Sequence, residues 1–408
     1  MIDVCSLKKS EVDRYARQII LPVFGINGQI SLKNSRILIV GCGGLGCPSG
    51  IYLAGAGIGT IGLVDHDVVD ESNLHRQICH KESKIGLSKV ESLSESLKLL
   101  NSSLNIEAHH ILINNNNAID IIKNYDVVLD CTDNVVTRYL INDCCVILKK
   151  PLVSASALGF EGQLTVYNYN NGPCYRCLFP IPPPANTVTN CNEGGVLGTV
   201  PGMLGTLQAT ETIKILTQIG TTFSGKMLLY DAEVGSFRNI KLRGRNKDCA
   251  VCGDNPIITA PIDYEEFCQS RPTDACSNKL SILTPADRIS VHEYHQVIQQ
   301  SQPHLLIDVR PKVQIETCRF TNAIAIGMDQ LDYKESLIDV FNAIRDVRSD
   351  HSDNRFVNVF VICRSGNQSQ IAVEKLKDIL KDQQVLVKDI IGGMRSWAAN
   401  FNPDLPVY

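Results

Sequence analysis

The clearest hydrophobic pattern in the chain begins at Ile37. Ile37-Leu38-Ile39-Val40 is an unbroken apolar run, as expected for a parallel strand buried on both faces. Gly41-Cys42-Gly43-Gly44-Leu45-Gly46 forms the tight turn after it, and a helix runs from about Leu45 to Ala56. A second strand, Thr60 to Val64, ends on Asp65. The pattern predicts a nucleotide-binding βαβ unit: glycines let the backbone approach a phosphate, the helix N-terminus faces the anion, and Asp65 accepts from ribose hydroxyls.

The same reading continues along the chain. Glu11 to Leu32 reads as helical turns, and Val90, Leu93, Leu97 and Leu100 recur at helical spacing, predicting a helix from Lys84 to Leu100. Asp126 to Asp130 is a strand, Asn114 to Asn117 a solvated loop, Thr132 to Lys149 a helix and Pro151 to Ala157 a buried strand. Gly162 to Tyr169 alternates as an antiparallel strand does, so the sheet is mixed. Val200 to Gln218 reads as a helix, with strands after it at Met227 to Tyr230 and Phe237 to Leu242.

Periodicity fades after Cys252 and resumes near Ile289, with strands at Leu305 to Asp308, Ala323 to Ile326, Val357 to Ile362 and Val385 to Ile390. The fold class is therefore α/β: a Rossmann-like mixed-sheet domain over 1–256, a connection over 257–287, and a smaller α/β domain over 288–408.

Composition narrows the chemistry. A net charge of −4 over 408 residues gives no electrostatic reason to expect direct nucleic-acid binding, and no apolar run reaches the roughly 20 residues of a membrane span. The N-terminus carries no secretory pattern, so the 16 cysteines point to thiol and metal chemistry in the cytosol.

The glycine turn alone leaves an NAD-dependent oxidoreductase open. The residues beyond Asp65 do not: Ser72-Asn73-Leu74-His75-Arg76-Gln77, then Lys89, then Asp133-Asn134 concentrate phosphate-directed groups and a magnesium-capable acid. Cys174/Cys177 and Cys249/Cys252 form two CxxC pairs that suit a tetrahedral zinc site, with redox and chance readings open on spacing alone. Cys191 stands in a polar loop, a poor place for core filler. Cys42, Cys47, Cys131, Cys144 and Cys145 read as small buried hydrophobes, and Cys268 and Cys276 as free thiols.

Cys363 ends an apolar strand, and Arg364-Ser365-Gly366-Asn367-Gln368 turns into a helix whose N–H groups favour a thiolate or persulfide. A cysteine phosphatase would place arginine six residues on, where this chain has Ser369.

From Glu11 to about Pro256, including Arg14-Tyr15-Ala16-Arg17-Gln18, these motifs resemble the MoeB/ThiF family of ubiquitin-activating-like adenylating enzymes. The resemblance implies that Gly44, Asp65, Asn73, Arg76, Lys89, Asp133 and Asn134, with Ser72, Leu74 and His75 around them, bind ATP, and that Asp133 holds Mg²⁺. It further implies that Arg17 reaches a partner's site in a homodimer, that the four CxxC cysteines hold one structural Zn²⁺, and that Cys191 is the crossover-loop cysteine of a thioester or acyl disulfide.

Asp308-Val309-Arg310, Cys363-Arg364-Ser365-Gly366, Gly392-Gly393-Met394 and Trp397 resemble a rhodanese domain over about Ile289 to Tyr408, with Cys363 as the persulfide carrier. The order resembles the eukaryotic adenylyltransferase–sulfurtransferase family serving molybdopterin synthase and the ubiquitin-related modifier. The implied partners are those ubiquitin-like sulfur carriers, and a cysteine desulfurase or other persulfide donor. Two other classes stay open: a dehydrogenase with a rhodanese appendage, and an activator for protein conjugation.

Overall fold

The computed structural model describes residues 7–184, 194–272, 280–333, 335–349 and 356–407. The chain forms two compact units, Met1–Asp274 and Ala275–Tyr408.

The first unit is built on strands β1 (Arg36–Val40), β2 (Thr60–Val64), β3 (Asn105–His109), β4 (Val127–Asp130), β5 (Leu152–Leu158), β6 (Glu161–Tyr167), β7 (Lys226–Asp231) and β8 (Ser236–Lys241). They lie in the order β3-β2-β1-β4-β5-β6-β7-β8. The first five are parallel and the last pairings antiparallel, so the mixed sheet read from the alternation of Gly162 to Tyr169 is present. Ile37, Leu38 and Ile39 are fully buried because the sheet is covered on both faces. One core gathers the helices Gly46–Ala56 and Lys89–Leu100, and the other the helix Val135–Ile147.

The chain reverses direction across the sheet between β1 and β4. Ligands of doubly wound sheets sit at the carboxyl ends of the strands at such a point. The glycine turn after β1, Asp65 after β2 and Asp133-Asn134 after β4 all open there.

The helix expected from Lys84 begins instead at Lys89; Glu82–Lys84 is a separate 3₁₀ turn, and Gly86 at φ +84° breaks the run. Within the stretch read as connection, the helix Tyr264–Cys268 packs into the first unit beside Tyr139. Its Asp263 caps it by accepting from the Glu266 N–H at 2.9 Å.

The second unit has β9 (Arg288–Ile289), β10 (His304–Asp308), β11 (Ala323–Ala325), β12 (Val357–Ile362) and β13 (Val385–Ile390), in the order β11-β10-β12-β13-β9, all parallel. Cys363 comes directly after the central β12 and leads into the helix Gln368–Ile379.

Candidate active site

The turn after β1 is set by steric demands that only glycine meets. Gly41 has φ +98°, and a Cβ on Gly46 would lie 2.0 Å from the Gly41 carbonyl oxygen. Asp65, at the end of β2, holds this turn: its Oδ2 accepts from the Cys42 N–H at 2.7 Å and its Oδ1 from the Asp67 N–H at 2.9 Å. A carboxylate has lone pairs left for a ribose.

Lys89 is buried and its Nζ lies 2.8 Å from Asp67 Oδ2. Burial pushes its ammonium down, but Asp65 and Asp67, with Asp133 behind them, outweigh burial and hold it above the usual lysine value. The lysine is thus a fixed positive charge among acids.

The stem of Arg76 lies against Gly44: a Cβ there would be 3.6 Å from Arg76 Cγ. Its guanidinium donates to the Asn73 side-chain oxygen and to the Ser72 carbonyl at 3.3 Å, and it contacts His75 Nε2 at 2.8 Å. Burial, then the neighbouring Arg76 charge, lower the His75 pKa, so the imidazole is held neutral. Asp70 accepts from the Ser72 N–H at 2.8 Å, and Leu74 caps the 3₁₀ turn Glu71–Asn73. The structure therefore gathers Gly44, Asp65, Asn73, Arg76 and Lys89 around one loop.

Asp133 is exposed at the mouth, and Asn134 caps the helix Val135–Ile147 by accepting from Thr137 N–H at 2.8 Å. Arg17 is exposed in the last turn of the helix Lys9–Ile19.

Gln77, the last residue of the motif read after Asp65, is buried beside Gly43 and its Oε1 has no partner among the described residues. Two other residues on which the site rests, Asp130 and Gln208, were missed at the sequence level. Asp130 is fully buried, accepts from Ser154 Oγ at 2.8 Å and pairs with Arg138 at 3.2 Å. Gln208 donates to the carbonyls of Asp130 and Val153 at 2.8 and 3.1 Å, tying the helix Thr199–Thr217 to the strands that carry the site.

Away from the crevice, the two CxxC pairs converge. Cys174 Sγ lies 3.8 Å from Cys177 and 3.6 Å from Cys249, and Cys177 lies 3.3 Å from Cys252. A tetrahedral zinc with bonds of about 2.3 Å spaces its sulfurs about 3.8 Å apart, so the four thiols fit one ion. Hydrogen bonds among the sulfurs hold Cys177 and Cys249 below the usual thiol range and push Cys174 and Cys252 above it, so without an ion the quartet keeps protons that a metal would displace.

Arg176, between the first two cysteines, is buried against Asp143, with contacts of 2.9 and 3.0 Å from Nε and 2.9 Å from Nη2. Its guanidinium stacks over Tyr139 and Phe267, at 4.9 and 4.3 Å from their ring centroids.

Cys42, Cys47, Cys131, Cys144 and Cys145 are buried, and burial pushes each thiol up, so they are inert filler. Cys268 is buried and pushed up to about 11 by burial. Cys191 and Cys276 lie outside the described residues.

In the second unit, Cys363 is 1% exposed and its Sγ accepts from the Gly366 N–H at 3.1 Å. Gly366 at φ +88° and Gly393 at φ +57° permit the turn; a Cβ on Gly393 would lie 2.2 Å from the Cys363 carbonyl oxygen. That carbonyl accepts instead from Met394 N–H at 2.9 Å, which explains the Gly392-Gly393 pair. Asp308 and Arg310, both buried, close on each other through Arg310 Nε at 2.9 Å and Nη2 at 2.6 Å.

Residues 15–251 match the ThiF family and residues 290–400 the rhodanese-like domain. The chain is 50% identical over 403 residues to the adenylyltransferase and sulfurtransferase MOCS3 of Aedes aegypti, covering 98% of this chain and 90% of that protein. It is 48% identical over 405 residues to the protein of that name from Sus scrofa, covering 99% and 89%. In fold it is similar to the crystal structure of E. coli MccB with ATP, at TM-score 0.53 and 22% identity, covering 61% of this chain and 75% of that one. No described helix is long and apolar enough to cross a membrane. The chain belongs to the ThiF family, carries a rhodanese-like domain behind its adenylating domain, and is an adenylyltransferase and sulfurtransferase.

Proposed function

We propose that this enzyme adenylates the C-terminal glycine of ubiquitin-like sulfur carriers and converts it to a thiocarboxylate. The observation that carries this reading is the pairing, in one chain, of an acid- and cation-lined glycine turn at the sheet's switch point with a buried thiol that accepts a backbone N–H.

ATP lies along the turn after β1, with Asp65 at the ribose and Lys89, Asn73 and Arg76 toward the phosphates. Asp133 would hold Mg²⁺, which supplies neutralisation of phosphate charge. The carrier carboxylate attacks the α-phosphate, an oxygen–phosphorus bond forms, and pyrophosphate leaves. Attack by the terminal sulfur of a Cys363 persulfide then expels AMP. The Cys191 thiolate attacks the Cys363 sulfur of the resulting acyl disulfide, its S–S bond breaks and the thiocarboxylate leaves. The Cys191–Cys363 disulfide so formed is reopened by an external thiol reductant. The cysteine quartet would hold a structural Zn²⁺.

The carriers are the molybdopterin synthase small subunit and the ubiquitin-related modifier. The product serves molybdenum cofactor synthesis and wobble-uridine thiolation of tRNA, with no nucleic acid bound here. A cysteine desulfurase or similar persulfide donor loads Cys363 in the cytosol. In a homodimer, the exposed Arg17 completes the neighbouring site; mixed Arg17→Ala and Asp133→Ala chains would then recover part of the pyrophosphate release, and no recovery would refute the shared site.

The deciding experiment incubates a carrier with ATP, Mg²⁺, the enzyme and a persulfide donor, and weighs the carrier. Exchange of one oxygen for one sulfur is expected. A carrier recovered unchanged, or only as isopeptide conjugates, overturns the reading.

A further inference from the structure

Ser369 stands where a cysteine phosphatase has arginine, and its neighbours give it a different task. Cys363 Sγ lies 3.3 Å from Ser369 Oγ, and Ser369 Oγ lies 2.6 Å from Asp389 Oδ1. The other oxygen, Asp389 Oδ2, accepts from Arg288 Nε at 2.8 Å. Cys363, Ser369 and Asp389 are each 1% exposed or less. An ionised carboxylate only accepts, so the single Ser369 proton is committed to Asp389 and its lone pairs face Sγ. That orientation receives an S–H proton.

We propose that Ser369 and Asp389 form a proton relay that unloads the Cys363 thiol as it takes up sulfur. This rests on the reading of Cys363 as the sulfur-accepting thiol. The Cys363 proton passes to Ser369 Oγ while the Ser369 proton passes to Asp389. One S–H and one O–H bond break, and two O–H bonds form. The chain of hydrogen bonds then runs the other way: Asp389 donates to Ser369, and Ser369 donates to the thiolate, which also keeps the Gly366 N–H. The thiolate pair attacks the outer sulfur of the donor persulfide, the donor S–S bond breaks, and the donor leaves as a thiolate. Asp389 returns its proton through Ser369 toward Cys363, where the departing donor thiolate takes it up. No external oxidant or reductant enters.

The surroundings suit a carboxylate that changes protonation. Burial raises the Asp389 pKa, against the opposing pull of Ser369 and Arg288. β13 is flanked by β12, which leads to Cys363, and by β9, which brings Arg288. The helix Gln368–Ile379 brings Ser369, and the 3₁₀ turn Pro285–Asp287 brings Asp287, itself paired with Lys377. Arg364 and Arg395 adjoin the loop, and Asp308 on β10 is closed on Arg310.

The test follows alkylation of Cys363 by iodoacetamide in the full chain across pH, read by peptide mass spectrometry. Ser369→Ala should move the profile to higher pH and slow alkylation about tenfold near neutrality. Asp389→Asn should move it the other way. Its oxygen stays on Arg288, its amide donates to Ser369, and the Ser369 hydroxyl is turned to donate to Sγ. Ser369→Thr, which keeps the hydroxyl, should restore the wild-type profile.

Opposite shifts support the relay. Coincident profiles, or shifts in one direction for both variants, overturn it. If Asp389→Asn does not fold, identical Ala and Thr profiles at position 369 overturn it and distinct ones support it. Iodoacetamide reads the thiol, not sulfur transfer, so this outcome is separate from whether Cys363→Ala abolishes thiocarboxylate formation.

Discussion

The turn after β1 and the turn after β12 share a plan: a buried strand, a glycine in the left-handed region and a helix start. Gly41 has φ +98° and Gly366 φ +88°. In both, an acid from an adjacent strand reaches the turn, but it takes hold of different things. Asp65 grips the backbone at Cys42, whereas Asp389 acts through Ser369 on a side chain. On the proposed function, the first turn receives reacting atoms from outside, so its acid fixes the frame and its cations, Arg76 and Lys89, stand around the opening. On the same proposal, the second turn carries its own reacting atom, Cys363, and encloses it. One strand–turn–helix can thus be a cradle or a holder, and the partner of the acid decides which.

The comparison breaks most sharply in the reacting groups. Asp133→Ala is expected to lower carrier-dependent pyrophosphate exchange by roughly 10²-fold or more, and thiocarboxylate formation with it. Cys363→Ala should abolish thiocarboxylate while exchange persists near the normal rate. If Cys363→Ala still yields thiocarboxylate at the wild-type rate, the second turn holds nothing that reacts.

Next come the frames. Gly46→Ala drives a Cβ into the Gly41 carbonyl, and Gly393→Ala drives one into the Cys363 carbonyl. Each should destabilise its own unit by about 2 kcal/mol or more, seen as separate shifts in a two-transition melt. A shift of both transitions by either variant would contradict independent frames.

Cys174→Ser should lower zinc content and the melting temperature of the first unit only; native protein without zinc on metal analysis would sink that assignment.

The smallest effect concerns pH. His80 is buried beneath the first turn, with Nε2 2.9 Å from the Cys42 carbonyl and Nδ1 2.9 Å from Ser92 Oγ. Burial lowers its pKa. The unfolded chain therefore binds the proton first, and the first unit should lose stability as pH falls below about 6.5. His80→Asn should flatten that slope, whereas the second unit should not respond to the substitution.

Much of this frame is legible in the residues. β1, β2 and the helix Gly46–Ala56 announce themselves because apolar runs end on glycine and aspartate. The helix expected over Lys84 to Leu100 is legible only from Lys89, since the apolar period says nothing about the positive φ at Gly86. β3, Asn-Ile-Glu-Ala-His, escapes notice because an edge strand needs no apolar run.

The site divides in the same way. Glycines, Asp65 and the CxxC pairs are local signals. The Gln208 bridge to Asp130 spans 78 positions, and Ser369 meets Asp389 across 20. No local pattern marks those partners; only the folded sheet brings them together.

The setting of Arg176 bears on how the proposed metal centre would assemble and exchange its ion. Its guanidinium is locked to Asp143, and Tyr264 donates to the same carboxylate at 3.0 Å, so the core holds the Cys174/Cys177 half whether or not metal is bound. Cys249 and Cys252 come after an exposed stretch, 243–248, that is itself tied to this half: Asn246 N–H donates to Cys177 Sγ at 3.3 Å, and Arg245 Nε donates to the Cys252 carbonyl at 2.8 Å. An arriving ion should therefore meet four sulfurs already drawn together, and a chelator should remove it without first releasing either pair.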